Sequence, residues 1–185
     1  MVRVLLASQN SIKLEEVRAI FPDTEVLDID LHEVQATDVS VVVRHKLEQV
    51  AALGLPHPVV VEDTGLALEA WDGLPGALIK WFVGHLGAQR LKEVALGAGG
   101  PARATAVSAV GVVHGGECRV WEGRLDGRIV DARGELGGWT PVFEVADTGQ
   151  TLAEMSFEDR LRYTMRREPL EHAREWLTRR QAAVA

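Results

Sequence analysis

Two adjacent acids, Glu62 and Asp63, follow the valine run Val59-Val60-Val61 and precede the turn pair Thr64-Gly65. A β-branched run bounded by turn residues reads as a buried strand. Carboxylates at the carboxyl end of such a strand sit where α/β sheets present their ligands. A charge held there costs free energy unless it is paired, hydrated or bound to metal, so the stretch asks for a cation. Downstream, Gly73-Leu74-Pro75-Gly76 leads into an aromatic segment that carries one, Lys80. A second chemical cluster opens the chain, where the small polar run Ser8-Gln9-Asn10-Ser11 is followed by Lys13 and Glu16. A polar loop at a helix start is an anion site, because free N–H groups and the helix dipole point into it. A cation in the first turn opposes that dipole, so Lys13 makes better sense beside an anion, with Glu16 near enough to orient it. The plainer alternatives are solvated turn or capping acids and a surface Lys–Glu pair of little worth.

The elements that must position these groups follow from the patterning. Val2 to Ala7 reads as a first buried strand, apolar except for Arg3. A helix follows, with Leu14, Val17 and Phe21 on one face, Asn10 or Ser11 as its cap and Pro22 as its stop. Glu25 to Ile29 is a second strand, with another acid, Glu33, just beyond it. Asp38 to Leu53 carries both signals: Val41-Val42-Val43 favours a strand, while Val39, Val43, Leu47 and Val50 have helical spacing. Helix is preferred, with Asp38 near its start. Its basic cluster Arg44-His45-Lys46 is either a solvated face or a phosphate partner. Ala77 to Leu86 and Gln89 to Leu96 read as helices and Gly97 to Pro101 as a loop. Thr105 to His114 and Cys118 to Leu125 form a hairpin about Gly115-Gly116. Gly127 to Gly138 reads as a glycine-rich loop with a short strand at Arg128 to Val130, and the chain closes in helices after a turn at Asp147-Thr148-Gly149.

The totals bound the function. At 185 residues the chain is one domain with a real core. A formal charge of −7 argues against coating a nucleic-acid polymer, yet leaves room for a nucleotide held by a few local cations. Cys118 is the only cysteine, so no intrachain disulfide forms, which fits a reducing compartment. No apolar run reaches membrane-spanning length, and the opening segment is too short for a signal peptide, so the cytoplasm is expected. The sequence contains no GxxxxGK[ST], no GxGxxG after a strand, no HExxH and no GxSxG, and its six histidines lack ligand spacing.

Five motifs in order over nearly the whole chain resemble the inosine triphosphate pyrophosphatase family. Ser8-Gln9-Asn10, Lys13 and Glu16 match its opening TGNxxKxxE, and Val61 to Leu66 match [AV][DE]D[ST]GL. Gly73 to Gly76 and Ile79 to Phe82 match GLPG followed by IKWF, in the form of the eukaryotic branch. Gly138-Trp139, Pro141 and Phe143 match part of FGWDPxF, and Thr151, Ala153, Glu154 and Met155 match TxAEM. The resemblance implies an α/β fold, an elongated two-lobed mixed β-sheet with flanking helices and a central substrate cleft, in a homodimer. It implies Mg²⁺-dependent cleavage of non-standard purine nucleoside triphosphates (inosine, deoxyinosine, xanthosine) to monophosphate and pyrophosphate, cleansing the nucleotide pool. By resemblance, Ser8, Gln9, Asn10 and Lys13 hold the triphosphate, Glu33 and Asp63 hold the metal, and Asp63 also activates water. Thr64 touches phosphate, Lys80 binds substrate, and one cation of Arg44-His45-Lys46 does too, with Lys46 the choice. Gly138, Trp139, Thr140, Arg160, Met165 and Arg166 fall at the base side.

The chain departs from the family on that side. Where the family keeps a lysine and then SHR, it has Arg160, Thr164, Met165 and Arg166; Thr140 replaces the aspartate of FGWD; Gln9 replaces a glycine; and Pro169 stands where the family's helix continues. Methionine cannot supply an imidazole's hydrogen bonds. A site that pairs with one base discriminates through the groups it leaves unpaired with another, so an altered or weakened base preference is expected. Two other readings stand beside this one. One is a nucleotide-binding protein on the same fold without turnover. The other, argued against by LASQ followed by NSIK in place of LAS followed by SPRR, is the Maf-like pyrophosphatases of pyrimidine triphosphates.

Overall fold

The computed structural model describes residues 2–97 and 99–184. The expected loop at Gly97 to Pro101 therefore has Ala98 outside the described residues. Strand β1 (Val4–Leu6) leads into helix α1 (Ser11–Ile20), which Asn10 caps by accepting the Lys13 amide at 3.2 Å. Strand β2 (Thr24–Val26) is shorter than the expected 25–29 strand, because β1 offers it only three partners. Helix α2 (Val39–Ala51) settles the ambiguous valine run: Asp38 caps it by accepting the Ser40 amide at 2.7 Å, and Val39, Val42, Val43, Leu47 and Val50 are buried along it.

Strand β3 (Val59–Leu68) is the spine of the sheet. The expectation that it stops before Glu62-Asp63 is corrected: it runs straight through both acids and the Thr64-Gly65 pair. Strand β5 (Arg103–His114) pairs with it antiparallel over its full length, from Val59 opposite Val113 to Leu68 opposite Ala104. β1, parallel to it, reaches only Val59 and Val60. The acids thus lie beyond the end of β1, not of their own strand. A two-residue strand β4 (Pro75–Gly76) returns on the far end of β3, and helices α3 (Ile79–Leu86) and α4 (Ala88–Leu96) follow.

Strand β6 (Glu117–Ile129) completes the hairpin about Gly115-Gly116 and absorbs the separate short strand expected at 128–130. Its glycines do not break it, since they admit close neighbours: a Cβ on Gly123 would collide with the Met165 carbonyl and the Pro169 ring. A 3-10 turn at Thr140–Val142 enters β7 (Phe143–Val145), and helices α5 (Phe157–Tyr163) and α6 (Arg167–Val184) close the chain. Pro169 lies in the first turn of α6, where a proline is tolerated.

The seven described strands form one mixed sheet ordered β2-β1-β3-β5-β6-β7, with β4 beside β3. α1 and α6 cover one face through Val17, Phe21, Leu170, Ala173 and Leu177, packed on Val4, Leu6, Val60, Val110 and Val112. α2 covers the other through Val39, Val42, Val43, Leu47 and Val50. A further core, built on Leu66, Leu68, Ile79, Leu91, Phe143 and Leu152, fills the opposite lobe around α3, α4 and β7.

Candidate functional site

The strand order turns around β1, whose parallel neighbours β2 and β3 lie on either side. In open α/β sheets the crevice at the carboxyl end of such a strand takes the ligand. Here it opens into a cavity of about 640 Å³, within the range of small-molecule sites. The head of α1 lines one side through Gln9, Asn10, Ser11, Ile12 and Lys13, and β3 contributes Asp63 and Thr64. α3 adds Ile79, Lys80 and Val83, the segment 135–140 forms another wall, and Arg160, Thr164, Met165 and Arg166 come from the α5–α6 junction.

Successive strand residues point to opposite faces, so the two acids have different surroundings. Glu62 shares its face with Val60, toward α1 and α6. There its Oε1 accepts from Thr64 Oγ1 (2.5 Å), Ser108 Oγ (2.7 Å) and Arg166 Nε (2.9 Å). Its Oε2 lies 2.7 Å from Lys13 Nζ, an ion contact rather than an aligned hydrogen bond. Burial works against the Glu62 charge, but Arg166 and Lys13 hold the carboxyl well below the usual range. Asp63 faces α2. Its Oδ1 is 3.5 Å from Lys46 Nζ and 3.8 Å from Lys13 Nζ, and its Oδ2 is buried with no hydrogen-bond partner. Burial is the main reason its carboxyl is pushed up; Glu62 and Glu33 add to the rise, and Lys13 and Lys46 oppose it.

Lys46 also reaches Glu33 Oε2 at 2.8 Å, and Lys80 pairs with Glu33 Oε1. The two lysines outweigh burial and hold the Glu33 carboxyl low. Burial pulls the Lys46 ammonium down, but Asp63 and Glu33 raise it above the ordinary value. Of the basic cluster on α2, Lys46 alone meets these acids: Arg44 is exposed, and His45 turns its ring to His32 at 5.6 Å between centroids. Glu33 is held by a contact with no signal in the sequence. The Gln49 side-chain amide accepts the His32 N–H at 2.8 Å and donates to the His32 carbonyl at 2.7 Å, clamping the backbone beside Glu33.

Several sequence-derived roles are relocated. Glu16 does not orient Lys13; it is buried, accepting from Thr164 Oγ1 (2.7 Å), Arg166 Nη1 (3.0 Å) and Arg160 Nε (3.3 Å). Arg166 spends its donors on Glu62, Glu16 and, through Nη2 at 2.7 Å, Thr64. Arg160 spends its own on Glu16 and Glu15. Ser8 does not line the cavity: its hydroxyl accepts the Asn10 amide at 3.3 Å, and Gln9 donates to Asp28 at 2.7 Å. Glu33 and Lys46 stand behind the cavity wall, joined to it through Asp63 and Lys80. Thr140 donates to the carbonyls of Leu136 (3.2 Å) and Gly137 (2.8 Å), so its hydroxyl is committed to its own loop. Trp139 packs edge-on against Phe143, and Met165 joins the apolar core. Sequence reasoning missed Glu135, Leu136, Ile79, Val83 and Leu152 as cavity walls; Leu152 was hidden inside the Thr151–Met155 motif.

An α/β sheet with a helix-headed polar cleft, cations resting on acids at one end and apolar walls at the other, defines the class of open-sheet α/β proteins with a ligand crevice at the strand ends. Within that class the chain belongs to the Ham1 family, whose model matches residues 4–176. It is 41% identical to the inosine triphosphate pyrophosphatase of Aspergillus oryzae, covering 94% of this chain and 92% of that one. It is 40% identical to the Fusarium vanettenii protein of the same name, covering 97% and 98%. Among solved structures it superposes on the Staphylococcus aureus Ham1 protein with a TM-score of 0.78 at 27% identity, covering 95% and 98%. It also superposes on a Mycobacterium abscessus nucleoside-triphosphatase, also described as a dITP/XTP pyrophosphatase, with a TM-score of 0.63 at 28% identity, covering 86% and 92%.

Proposed function

We propose that this chain is a nucleoside triphosphate pyrophosphatase that cleaves non-standard purine nucleoside triphosphates to the monophosphate and pyrophosphate. The observation that carries the reading is Asp63: a buried carboxylate whose Oδ2 has no hydrogen-bond partner, set between Lys13 and Lys46 at the crevice beyond β1. A triphosphate laid along the head of α1 meets the helix N-terminus and Lys13 at one side and Lys80 at the other. Asp63, its affinity for protons raised by burial, takes a proton from water as the water oxygen attacks the α-phosphorus. The bond from the α-phosphorus to the bridging oxygen breaks, and pyrophosphate leaves with the electron pair. Lys13 neutralises charge along that path, with Lys46 acting from behind the wall through Asp63, and the bulk of the acceleration comes from positioning and charge stabilisation.

The acids suit a magnesium ion in one particular way. Among the described residues no group of three or more His, Cys, Asp or Glu could hold a metal by itself. Magnesium, however, usually takes one or two carboxylates and completes its shell with water and substrate phosphate. Asp63, with its unpartnered Oδ2, and Glu33 are the residues that would hold it. When bound it supplies positive charge to phosphate oxygens and orients them.

The base would lie against the apolar walls Ile79, Val83, Leu136 and Leu152. With Thr140 tied to its loop and Met165 buried in the core, those positions offer the base no hydrogen bond, which supports a shifted preference within the purine set. The commitment of Arg160 and Arg166 to buried acids favours, as a second reading, a protein that binds nucleotide with little turnover. We further propose a single-domain, cytoplasmic homodimer that clears the nucleotide pool; no helix of the described residues is long and apolar enough to cross a membrane.

The test is a product assay with Mg²⁺, offering inosine, deoxyinosine and xanthosine triphosphates beside the standard nucleotides. Pyrophosphate from the non-standard set is expected, falling roughly 10²–10⁴-fold in Asp63→Asn. Orthophosphate as the product, or an Asp63→Asn protein as active as the parent, would overturn the assignment.

A further inference from the structure

We infer that Glu135 is the residue that reads the base, accepting the ring N–H of a 6-oxopurine. This rests on the nucleotide reading above and deepens it. Glu135 lines the cavity, is exposed, and makes no ion pair or hydrogen bond with any described residue. Of the other ionisable groups of the cavity, Lys13, Lys80, Glu16, Arg160 and Arg166 are committed to ion pairs; of its hydroxyls, those of Thr64, Thr140 and Thr164 are hydrogen-bonded, and Ser11 stands at the head of α1, at the phosphate end. Asp63 has its place at the phosphate end. Glu135 instead sits on the segment 135–140 that also carries Leu136 and Trp139, beside the apolar wall.

That segment is pinned on both sides of Glu135. Before it, Thr151 Oγ1 donates to the Arg133 carbonyl at 2.9 Å, and Gly134, at φ +81°, lies so close to the backbone of Ala153 that a Cβ there would collide with it. After it, Thr140 ties down the Leu136 and Gly137 carbonyls. The carboxylate is therefore carried over the cavity on ordered backbone, which limits the entropy lost on binding.

A carboxylate only accepts hydrogen bonds. Hypoxanthine, guanine and xanthine carry hydrogen on N1, and a carboxylate beside that edge accepts it. Adenine presents a bare acceptor nitrogen there, which a carboxylate repels. A charge-assisted hydrogen bond of about 1.5–3 kcal/mol corresponds to roughly ten- to hundredfold discrimination.

The experiment measures binding of non-hydrolysable α,β-methylene analogues of inosine and adenosine triphosphate by calorimetry. It compares wild type, Glu135→Gln and Glu135→Ala, with pyrophosphate release from the natural nucleotides in parallel. Wild type is expected to prefer the inosine analogue. Both variants should lose roughly tenfold or more of that preference, and Glu135→Gln, whose amide can donate to the bare adenine nitrogen, should bind the adenosine analogue more tightly than wild type does. A purely structural role would not produce that gain. An unchanged preference in both variants, or no preference in wild type, overturns the inference. Wild type that binds but releases no pyrophosphate overturns the hydrolase reading alone, and the binding preference still decides the role of Glu135. Binding of neither analogue overturns both.

Discussion

Glu62 and Asp63 are neighbours of similar chemistry whose carboxyls are shifted in opposite directions, Glu62 downward, its burial outweighed by Arg166 and Lys13, and Asp63 upward by burial. Glu62 accepts from a threonine, a serine and an arginine and touches Lys13, so its charge is locked in. Asp63 has one oxygen 3.5 and 3.8 Å from two ammonium groups and another with no hydrogen-bond partner. The alternation of a β-strand makes this separation possible, because one carboxylate meets Arg166 at the α5–α6 junction and the other meets Lys46 on α2. The first holds Arg166, and the second is the carboxylate proposed above to take the proton from water. Arg166→Met would leave Glu62 and Glu16 buried without their shared cation, and removing one partner of a buried pair costs about 3–5 kcal/mol. Urea denaturation should show a loss of that size; a loss under about 1 kcal/mol, the range of surface pairs, would mean that the Glu16–Arg166–Glu62 network does not organise the site.

At the scale of elements, the site exists because β1 is short. β1 pairs with β3 only at Val59 and Val60, and the missing continuation leaves room for the head of α1 to bring Lys13 onto Glu62 and Asp63. α2 then closes the other face with Lys46, and its Gln49 holds the passing backbone at His32 so that Glu33 meets both Lys46 and Lys80. On the proposed metal reading, Gln49 is a positioning residue, bonded to the His32 backbone beside Glu33. Gln49→Ala is expected to raise the Mg²⁺ concentration for half-maximal turnover roughly tenfold, as loss of such outer contacts does at metal sites. The stability change should stay near the ~1 kcal/mol of ordinary hydrogen bonds. A matching loss of protection of the His32 amide in hydrogen exchange should accompany it; an unaltered Mg²⁺ requirement would remove Gln49 from the site.

For the molecule as a whole, a formal charge of −7 is distributed so that the buried acids meet cations. This sets how stability depends on pH. Side-chain hydrogen bonds from Arg128 and Arg133 hold Glu144 below the ordinary glutamate value, and Arg166 and Lys13 outweigh burial to hold Glu62 lower still. A carboxyl depressed in the fold adds stability that is complete above its unfolded pKa and is lost as pH falls toward its folded one. Asp63 works the other way: its raised pKa means that protonation relieves a cost of folding. The depressed acids outnumber it, so the melting temperature should fall steadily as pH drops below the ordinary carboxylate range. A melting temperature that holds or rises there would show that the arginine–glutamate pairs do not carry the fold.

The sequence by itself determined α1, the preference for helix at α2, the hairpin about Gly115-Gly116 and the family, because each rests on local periodicity, capping or a short motif, whereas β4 and β7 carry no such local signal. Asn10 and Asp38 could be recognised as caps for the same reason: a cap needs only its next few residues. Only the tertiary structure decided that β3 runs through its acids, because strand length is set by the partner, and β5 continues where β1 stops. It likewise decided that Glu16 serves Arg160 and Arg166 rather than Lys13, that Lys46 is the cation of α2 that reaches the acids, and that Glu135 lines the cavity. Those facts depend on contacts between residues as far apart as Glu16 and Arg166, and no local pattern encodes where a long charged side chain finds its partner once the sheet and helices are packed.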